Sequence, residues 1–232
     1  MAIEFFVLGA NHATAPIDLR EHIALTPLQQ DKLMAQLSCR FAVREAAVIC
    51  TCNRVEIYGV SSAAPSRDQL LELLSEVSGV SLLDRSVFYF RRGQRAVEHL
   101  FRVASSLDSQ IIGETHILGQ VKESYQRSLQ LNAAGKWLNL FFQKSFHVAK
   151  KVRNETSITK LPVSTGSCAV ALAHRIVENL EGRKLLCRRG RRNGAHGGKT
   201  FLQAWSGAYG LQPYAGQSRK PGCRARRESC RF

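Results

Sequence analysis

The feature that most constrains the fold is a pair of apolar segments separated by a short polar corner. REAAVICT and RVEIYGV are rich in strand-forming residues, and a corner at Thr51–Arg54 separates them. Two such segments joined by a tight corner predict neighbouring strands. The corner carries Cys52, with Cys50 just before it, and an arginine and a glutamate follow closely. This corner is therefore also the first candidate for a functional site.

The segments around this pair predict a small unit of mixed structure over residues 1–92. IEFFVLG and SVFYFRR are typical of further strands. Thr26 and Ser66 are suitable N-cap residues for two intervening helices. The order strand–helix–strand–strand–helix–strand favours an antiparallel sheet with helices beside it.

After Gly93 the apolar residues recur with helical spacing. Three segments show this pattern before residue 158: QRAVEHLFRVASSL, ETHILGQVKESYQRSLQL and KWLNLFFQKSFHVAKKVRNET. A fourth, VSTGSCAVALAHRIVENLEG, follows Pro162 and ends at Gly182. The predicted fold class is α+β: a small antiparallel-sheet α/β domain followed by helices and a long linker helix.

The net charge of +15 is unevenly distributed. Residues 1–182 hold 20 Lys and Arg against 17 Asp and Glu, whereas residues 183–232 hold 13 against one. The last fifty residues alone resemble a disordered segment or a basic RNA-binding tail. An odd number of cysteines argues against a disulfide framework. Because no signal-peptide pattern or long apolar run is seen, we expect a soluble cytoplasmic protein without a membrane span.

Three interpretations of CTCN are open from the residues alone. A zinc site is disfavoured because C-x-C is the wrong spacing and no second cluster follows. Two core thiols are the plain structural alternative, since Cys50 and Cys52 would lie on one side of a strand. A nucleophile needs access and a nearby cation, which Arg54 could provide. Cys52 lies nearer the corner and is the better nucleophile candidate.

Motifs along the chain carry a family resemblance. In order they are GANHATAPIDLRE, TCNRVEIY, HLFRVASSLDSQIIGETHILGQVKESY and FQKSFHVAKKVRNET. Together they resemble glutamyl-tRNA reductase over about residues 3–182. The resemblance implies a catalytic domain at 1–160, a linker helix with the start of an NADP domain at 161–186, and an aberrant basic tail at 187–232.

The resemblance implies NADPH-dependent reduction of glutamyl-tRNA to glutamate 1-semialdehyde, the first step of the five-carbon route to 5-aminolevulinate and tetrapyrroles. Cys52 matches the family's nucleophile, which forms a glutamyl thioester that hydride reduces. His99 matches a histidine important for activity, as a proton donor or acceptor near the leaving oxygen. Arg54 suits the substrate α-carboxylate and Glu114 its ammonium. The residues matching the family's substrate-binding positions are Thr51, Asn53, Arg54, Ser109, Glu114, Thr115, His116 and Gln120; no metal is implied.

Several of these residues have a plain structural interpretation. Without the family, His99 would be a half-buried helix histidine, and Ser109 could cap a helix. His116 stands where many members have Gln, and Cys50 where a Ser is more usual. His12 is interpreted as a pocket-wall or turn residue and not as a catalytic one.

The resemblance stops at about residue 186, where the family begins its nucleotide-binding domain. LLCRRGRRNGAH stands in place of a strand and Gly-rich turn that would cradle a pyrophosphate. Codons for Arg188–Ala195 can be chosen so that a one-base shift gives GAGGEMA, and those for 212–216 so that it gives NRTL. We therefore hypothesise a frameshift near Leu186, which leaves the Rossmann-type NADP domain absent or scrambled and no intact NADPH site. The family's homodimer domain would also be missing; glutamate-1-semialdehyde aminomutase is a further expected partner.

Two rival functions remain at this point. A non-catalytic tRNA- or RNA-binding module with a functional basic tail would bind through residues 183–232 and be sensitive to salt. A cysteine hydrolase with Cys52 and His99 as a dyad would act on free esters without preferring tRNA.

Overall fold

The computed structural model describes residues 3–81 and 84–158, together with Ile176 and two short strands near the C-terminal end. The chain divides into two compact units, Met1–Cys168 and Ala169–Phe232. In the second unit, β5 (Leu185–Leu186) pairs antiparallel with β6 (Leu202–Gln203). Most of the predicted linker helix and of the basic tail lies outside the described residues, so those predictions are untested.

A four-stranded antiparallel sheet is the centre of the first unit. Its strand order is β2-β3-β1-β4. The predicted pair of strands is confirmed, with Glu45 opposite Val60 and Cys50 opposite Val55. The strands are β1 (Glu4–Asn11), β2 (Glu45–Cys50), β3 (Arg54–Ser61) and β4 (Tyr89–Arg92).

The fourth strand is shorter than the sequence predicts. Instead of extending from residue 86, the chain forms a 3-10 turn over Arg85–Val87. The Asp84 carboxylate caps the beginning of this turn, because it accepts the Ser86 N–H at 3.0 Å.

Two of the helices begin where the sequence predicts them. Thr26 and Ser66 each form a capping box with a glutamine three residues later, Gln29 and Gln69. The helices of the first unit are α1 (Ile17–His22), α2 (Pro27–Phe41), α3 (Arg67–Ser78), α4 (Gln94–Ala104), α5 (His116–Gln130) and α6 (Lys136–Glu155).

Helix α1 corrects the interpretation of ANHATAPIDLRE as a turn. It has only six residues and begins after Pro16, whose side chain makes no cap. So short a helix gives apolar periodicity little room to show. The correction matters because α1 carries a residue that contacts the candidate site.

Both faces of the sheet are covered, which confirms the α+β class. On β1, Phe6 and Leu8 pack in a core with α2 and α3, whereas Phe5 and Val7 pack with α4, α5 and α6. This alternation is the two-residue period of a strand. In the described segments, no helix combines the length and apolar character needed to cross a membrane.

Candidate active site

The corner between β2 and β3 is a three-residue loop, residues 51–53, that presents Cys52 at the surface. Thr51 N–H donates to Arg54 O at 2.8 Å and closes the loop. Asn53 N–H donates to Thr51 Oγ1 at 3.1 Å. Cys52 is exposed, so its thiol has the access that a nucleophile needs.

Cys50 has a different environment two residues earlier. It packs against the core shared with α2 and α3, and its Sγ accepts the Leu25 N–H at 3.3 Å. Burial raises the pKa of the Cys50 thiol, and the bond from Leu25 offsets this only in part. Cys50 is therefore a neutral packing residue at pH 7.

Arg20 on α1 binds the Cys52 loop through hydrogen bonds to two loop residues. Its Nη1 donates to Cys52 O at 2.6 Å and to Asn53 Oδ1 at 3.3 Å, and its Nε donates to Ala15 O at 3.1 Å. Only 9% of the residue is exposed. Sequence reasoning missed Arg20, although it lies within GANHATAPIDLRE, because nothing local indicates a contact 32 residues away.

Arg54 is fully buried at the start of β3 and is engaged by internal carboxylates. Its Nη1 donates to Glu56 Oε1 at 2.9 Å and to Asp108 Oδ2 at 3.0 Å, and its Nη2 donates to Asp108 O. Asn11 Nδ2 donates to the same Asp108 Oδ2 at 3.0 Å. Arg54 Nε has no partner among the described residues, and the predicted contact of Arg54 with a substrate carboxylate stays a prediction.

Glu56 is the centre of this buried group. Its carboxylate accepts from Arg54, from His99 Nε2 at 2.8 Å, from Tyr58 OH at 2.7 Å and from Tyr89 OH. Burial alone would raise the pKa of Glu56, but the charges of Arg54 and His99 and the hydrogen bonds outweigh burial. They hold the pKa of Glu56 well below its usual value. Glu56 is thus a buried anion that only accepts.

The state of Glu56 fixes how His99 is oriented. Since a carboxylate has no proton to donate, His99 Nε2 must be the donor in their hydrogen bond. Nδ1 is then the ring nitrogen left for other chemistry, and it is buried without a partner among the described residues. No hydrogen bond joins His99 to Cys52 in the described structure, so the dyad of the hydrolase interpretation is not formed there.

Glu56, His99 and Asp108 have ligand atoms within 4.8 Å of one another, a spacing that could hold a metal ion. Arg54 Nη1, however, lies 2.9 Å from Glu56 Oε1 and 3.0 Å from Asp108 Oδ2. The guanidinium already takes the cation position between the carboxylates. We call these four residues, Arg54, Glu56, His99 and Asp108, the ionic cluster.

The segment between α4 and α5 forms the second side of the site. Gly113 has a φ of 85°, and a Cβ there would lie 2.3 Å from Ile158 O, so glycine is required. Gly113 N–H donates to Ser106 O at 3.1 Å, and Ser106 Oγ donates to Glu114 O at 2.6 Å. These bonds set the shape of the segment, and Asp108 ties it to Arg54.

The predicted binding residues on this segment differ in exposure. Ser109 is buried, and its Oγ has no partner among the described residues. Thr115 and His116 are exposed, while Glu114 and Gln120 are half-buried. The ion pair between Arg54 and Asp108 thus brings the two predicted segments together, but the role of each side chain stays a prediction.

Charged groups from both predicted segments act on the pKa of His12. Burial lowers its pKa most, followed by the charge of Arg54, and Arg20 adds to this; Asp108 and Glu114 act in the opposite direction. Its Nδ1 is buried without a partner among the described residues. Because both segments influence His12, this neutral imidazole is part of the same charged environment.

This geometry lies within a region shared with known proteins. Residues 8–156 match the family described as Glutamyl-tRNAGlu reductase, N-terminal domain. The chain belongs to this family. The matched region contains every predicted site residue, from Thr51 to Gln120.

Curated relatives agree with this assignment. Glutamyl-tRNA reductases of Marinobacter nauticus and Aquifex aeolicus are 39% and 37% identical over 181 and 183 residues. These matches cover 77% and 79% of this chain but only 42% and 45% of the relatives. The chain therefore spans less than half the length of these glutamyl-tRNA reductases.

A solved structure supports the same fold. The glutamyl-tRNA reductase of Methanopyrus kandleri is 33% identical, with a TM-score of 0.60. The match covers 74% of this chain and 39% of that one. The α+β fold of the first unit is thus shared with a glutamyl-tRNA reductase.

Proposed function

We propose that this chain performs the acyl-transfer half of the glutamyl-tRNA reductase reaction through Cys52. The observation that carries the proposal is the exposed Cys52 thiol on a loop held from behind by Arg20, within the matched region. Cys52 Sγ attacks the ester carbonyl carbon of glutamyl-tRNA. The ester C–O bond then breaks, a proton passes to the ribose oxygen, and the glutamyl group remains on sulfur as a thioester.

Neighbouring residues are proposed to bind the glutamyl group. Glu114 would pair with the substrate ammonium, and Thr51 and Asn53 would contact it at the loop. Arg54, whose Nε has no partner among the described residues, would donate to the substrate carboxylate. His99 is proposed as a proton-transfer group acting through Nδ1, the ring nitrogen that Glu56 does not use.

The reductive half needs a hydride donor. The full family reaction uses NADPH and yields glutamate 1-semialdehyde for tetrapyrrole biosynthesis. Residues 187–201, where that cofactor site would begin, lie outside the described segments, and their sequence lacks its Gly-rich turn. We propose that the chain as written loses the thioester to water and acts as a slow glutamyl-tRNA esterase.

The remaining family properties are also proposals for this chain. They are a cytoplasmic location, a homodimer of the full-length protein, and an aminomutase that takes up the semialdehyde. The frameshift near Leu186 belongs with them. The DNA sequence of the gene tests it, because a single-base change should restore a Rossmann-like continuation.

A direct assay follows glutamate release from glutamyl-tRNA and formation of semialdehyde, each with and without NADPH. We expect release without semialdehyde, loss of release in Cys52→Ser, and retained release in Cys50→Ser. NADPH-dependent semialdehyde from this chain would contradict the restriction to acyl transfer. Unchanged release in Cys52→Ser would contradict the role of Cys52.

A further inference from the structure

We propose that Arg20 is a positioning residue for the Cys52 nucleophile. Its guanidinium fixes the loop that carries the thiol and brings to that loop a positive charge without a carboxylate partner. The inference rests on the proposed role of Cys52 and extends it to a residue on a different element of the fold.

The hydrogen bonds of Arg20 act on the part of the loop that sets the direction of the thiol. Nη1 donates to Cys52 O at 2.6 Å and to Asn53 Oδ1 at 3.3 Å, so the same nitrogen holds both loop residues. Nε donates to Ala15 O at 3.1 Å, which fixes the guanidinium plane from the opposite side. With its carbonyl held, Cys52 keeps one backbone orientation, and its side chain is presented in a narrow range of directions.

The hairpin alone does not provide this restraint. Its own bonds run from Thr51 N–H to Arg54 O and from Asn53 N–H to Thr51 Oγ1. Neither bond uses the carbonyl of Cys52. Arg20 reaches that carbonyl from α1, and the C-cap residue that follows this helix, Ile23, has no exposed surface.

Arg20 also brings a positive charge to the Cys52 loop. Two other arginines that join separate segments do pair with carboxylates: Arg54 with Glu56 and Asp108, and Arg127 with Asp31. Arg20 forms no ion pair within the described segments, although only 9% of it is exposed. A buried cation is costly unless an anion compensates it.

The loop can supply such an anion during the reaction. The thiolate of Cys52 carries a negative charge before attack, and the carbonyl oxygen of the tetrahedral adduct carries one afterwards. A fixed positive charge beside the loop stabilises both. The charge of Arg20 also helps to lower the pKa of His12.

The test compares two variants. Arg20→Gln loses both the charge and the planar set of guanidinium N–H donors, whereas Arg20→Lys keeps the charge but loses that set of donors. Arg127 supplies the matched control, because it also makes three hydrogen bonds, to Asp31 and Pro27, away from the loop. Each variant of the 232-residue chain is treated with iodoacetamide, and alkylation of Cys52 is measured relative to Cys39. Cys39 is exposed on α2 and serves as the internal reference. Glutamate release from glutamyl-tRNA gives kcat and KM for the same samples.

We expect Arg20→Gln to lower alkylation of Cys52 about tenfold and kcat about a hundredfold, with little change in KM or at Cys39. Arg20→Lys should keep alkylation near that of the parent but lower kcat about tenfold, because an ammonium group cannot make the same set of hydrogen bonds as the planar guanidinium. Arg127→Gln should keep both rates close to those of the parent.

Parent-like alkylation and kcat in Arg20→Gln would overturn the proposal, and so would equal losses in Arg127→Gln. If Arg20→Gln does not fold, Arg20→Lys decides, and a parent-like kcat in that variant overturns the positioning role. If the parent releases no glutamate, the proposed function fails, while the ratio of Cys52 to Cys39 alkylation still tests Arg20.

Discussion

The Cys52 loop, residues 51–53, and the two members of the ionic cluster that follow it in the chain, Arg54 and Glu56, are opposite in character. Cys52 is exposed, whereas Arg54 and Glu56 have side chains with no exposed surface and are paired. The Cys52 thiol is thus accessible, and the buried residues after it are held in place by their ion pair. The difference teaches that the TCNR motif joins an exposed thiol, the proposed nucleophile, to a buried anchor.

The largest difference between the two regions is expected in the free energy of unfolding, when Glu56 in the ionic cluster is replaced by glutamine. This substitution removes the charge that compensates Arg54 and replaces one of the two oxygens, which together accept from four donors, by an NH2 group. Breaking a buried charge pair costs about 3–5 kcal/mol of unfolding free energy. Urea unfolding of the full chain measures it.

A matched substitution is available on the surface. Glu76 pairs with Arg40 at 2.7 Å, but these side chains are 53% and 47% exposed. Glu76→Gln should therefore cost less than about 1 kcal/mol. Similar losses for Glu56→Gln and Glu76→Gln would show that the ionic cluster does not anchor this part of the fold.

Much of the secondary structure around these regions could be predicted from the sequence, because the residue patterns that specify it are local. Thr26 and Ser66 each pair with a glutamine three residues later, and the strands β2 and β3 are separated by a short polar corner. Such features depend on residues within one turn or one loop. The sequence therefore predicted α2, α3 and the hairpin correctly.

The site's internal contacts could not be predicted, because they join distant segments. Arg54 meets Asp108 across 54 residues, and Arg20 meets Cys52 across 32. From the sequence, Arg54 was expected to bind substrate, and no pattern indicated that it would be buried between carboxylates. Arg20 was missed since α1 itself was not predicted.

The second prediction concerns the tie between the ionic cluster and the segment before α5. Asp108→Asn weakens the contact with Arg54 and should cost about 1–2 kcal/mol in stability. It should also lower glutamate release about tenfold, because the predicted binding residues on that segment shift. Both are measured on the full chain.

Asp31→Asn is the control for Asp108→Asn. Asp31 pairs with Arg127 at 2.6 Å and is 29% exposed, close to the 22% of Asp108. Its loss of stability should be similar, but its glutamate release should equal that of the parent. Equal losses of release in both variants would mean that Asp108 acts only through stability.

The third prediction is a dependence of stability on pH. The pKa of Glu56 is lower in the folded chain than its ordinary value of 4.5, so the unfolded chain binds more protons as the pH falls below that value. Stability should therefore fall from about pH 5 to pH 3, and Glu56→Gln should lessen the fall by at least about 1 kcal/mol. Unfolding curves at several pH values measure this; parallel pH profiles for the two proteins would contradict it.

The smallest effect is expected at Cys50, beside the Cys52 loop. Serine can accept the Leu25 N–H as the Cys50 sulfur does. Cys50→Ser should cost less than about 1 kcal/mol and leave glutamate release unchanged. A strong loss of release, with stability intact, would show that Cys50 takes part in the chemistry.

The central claim is that Cys52 takes the glutamyl group from tRNA. Its most direct test is to incubate the full chain with tRNA carrying labelled glutamate, quench in acid and map the label on peptides. The account predicts hydroxylamine-labile label on the Cys52 peptide and none in Cys52→Ser. Label on Cys39 or Cys50, or the same label in Cys52→Ser, would contradict it.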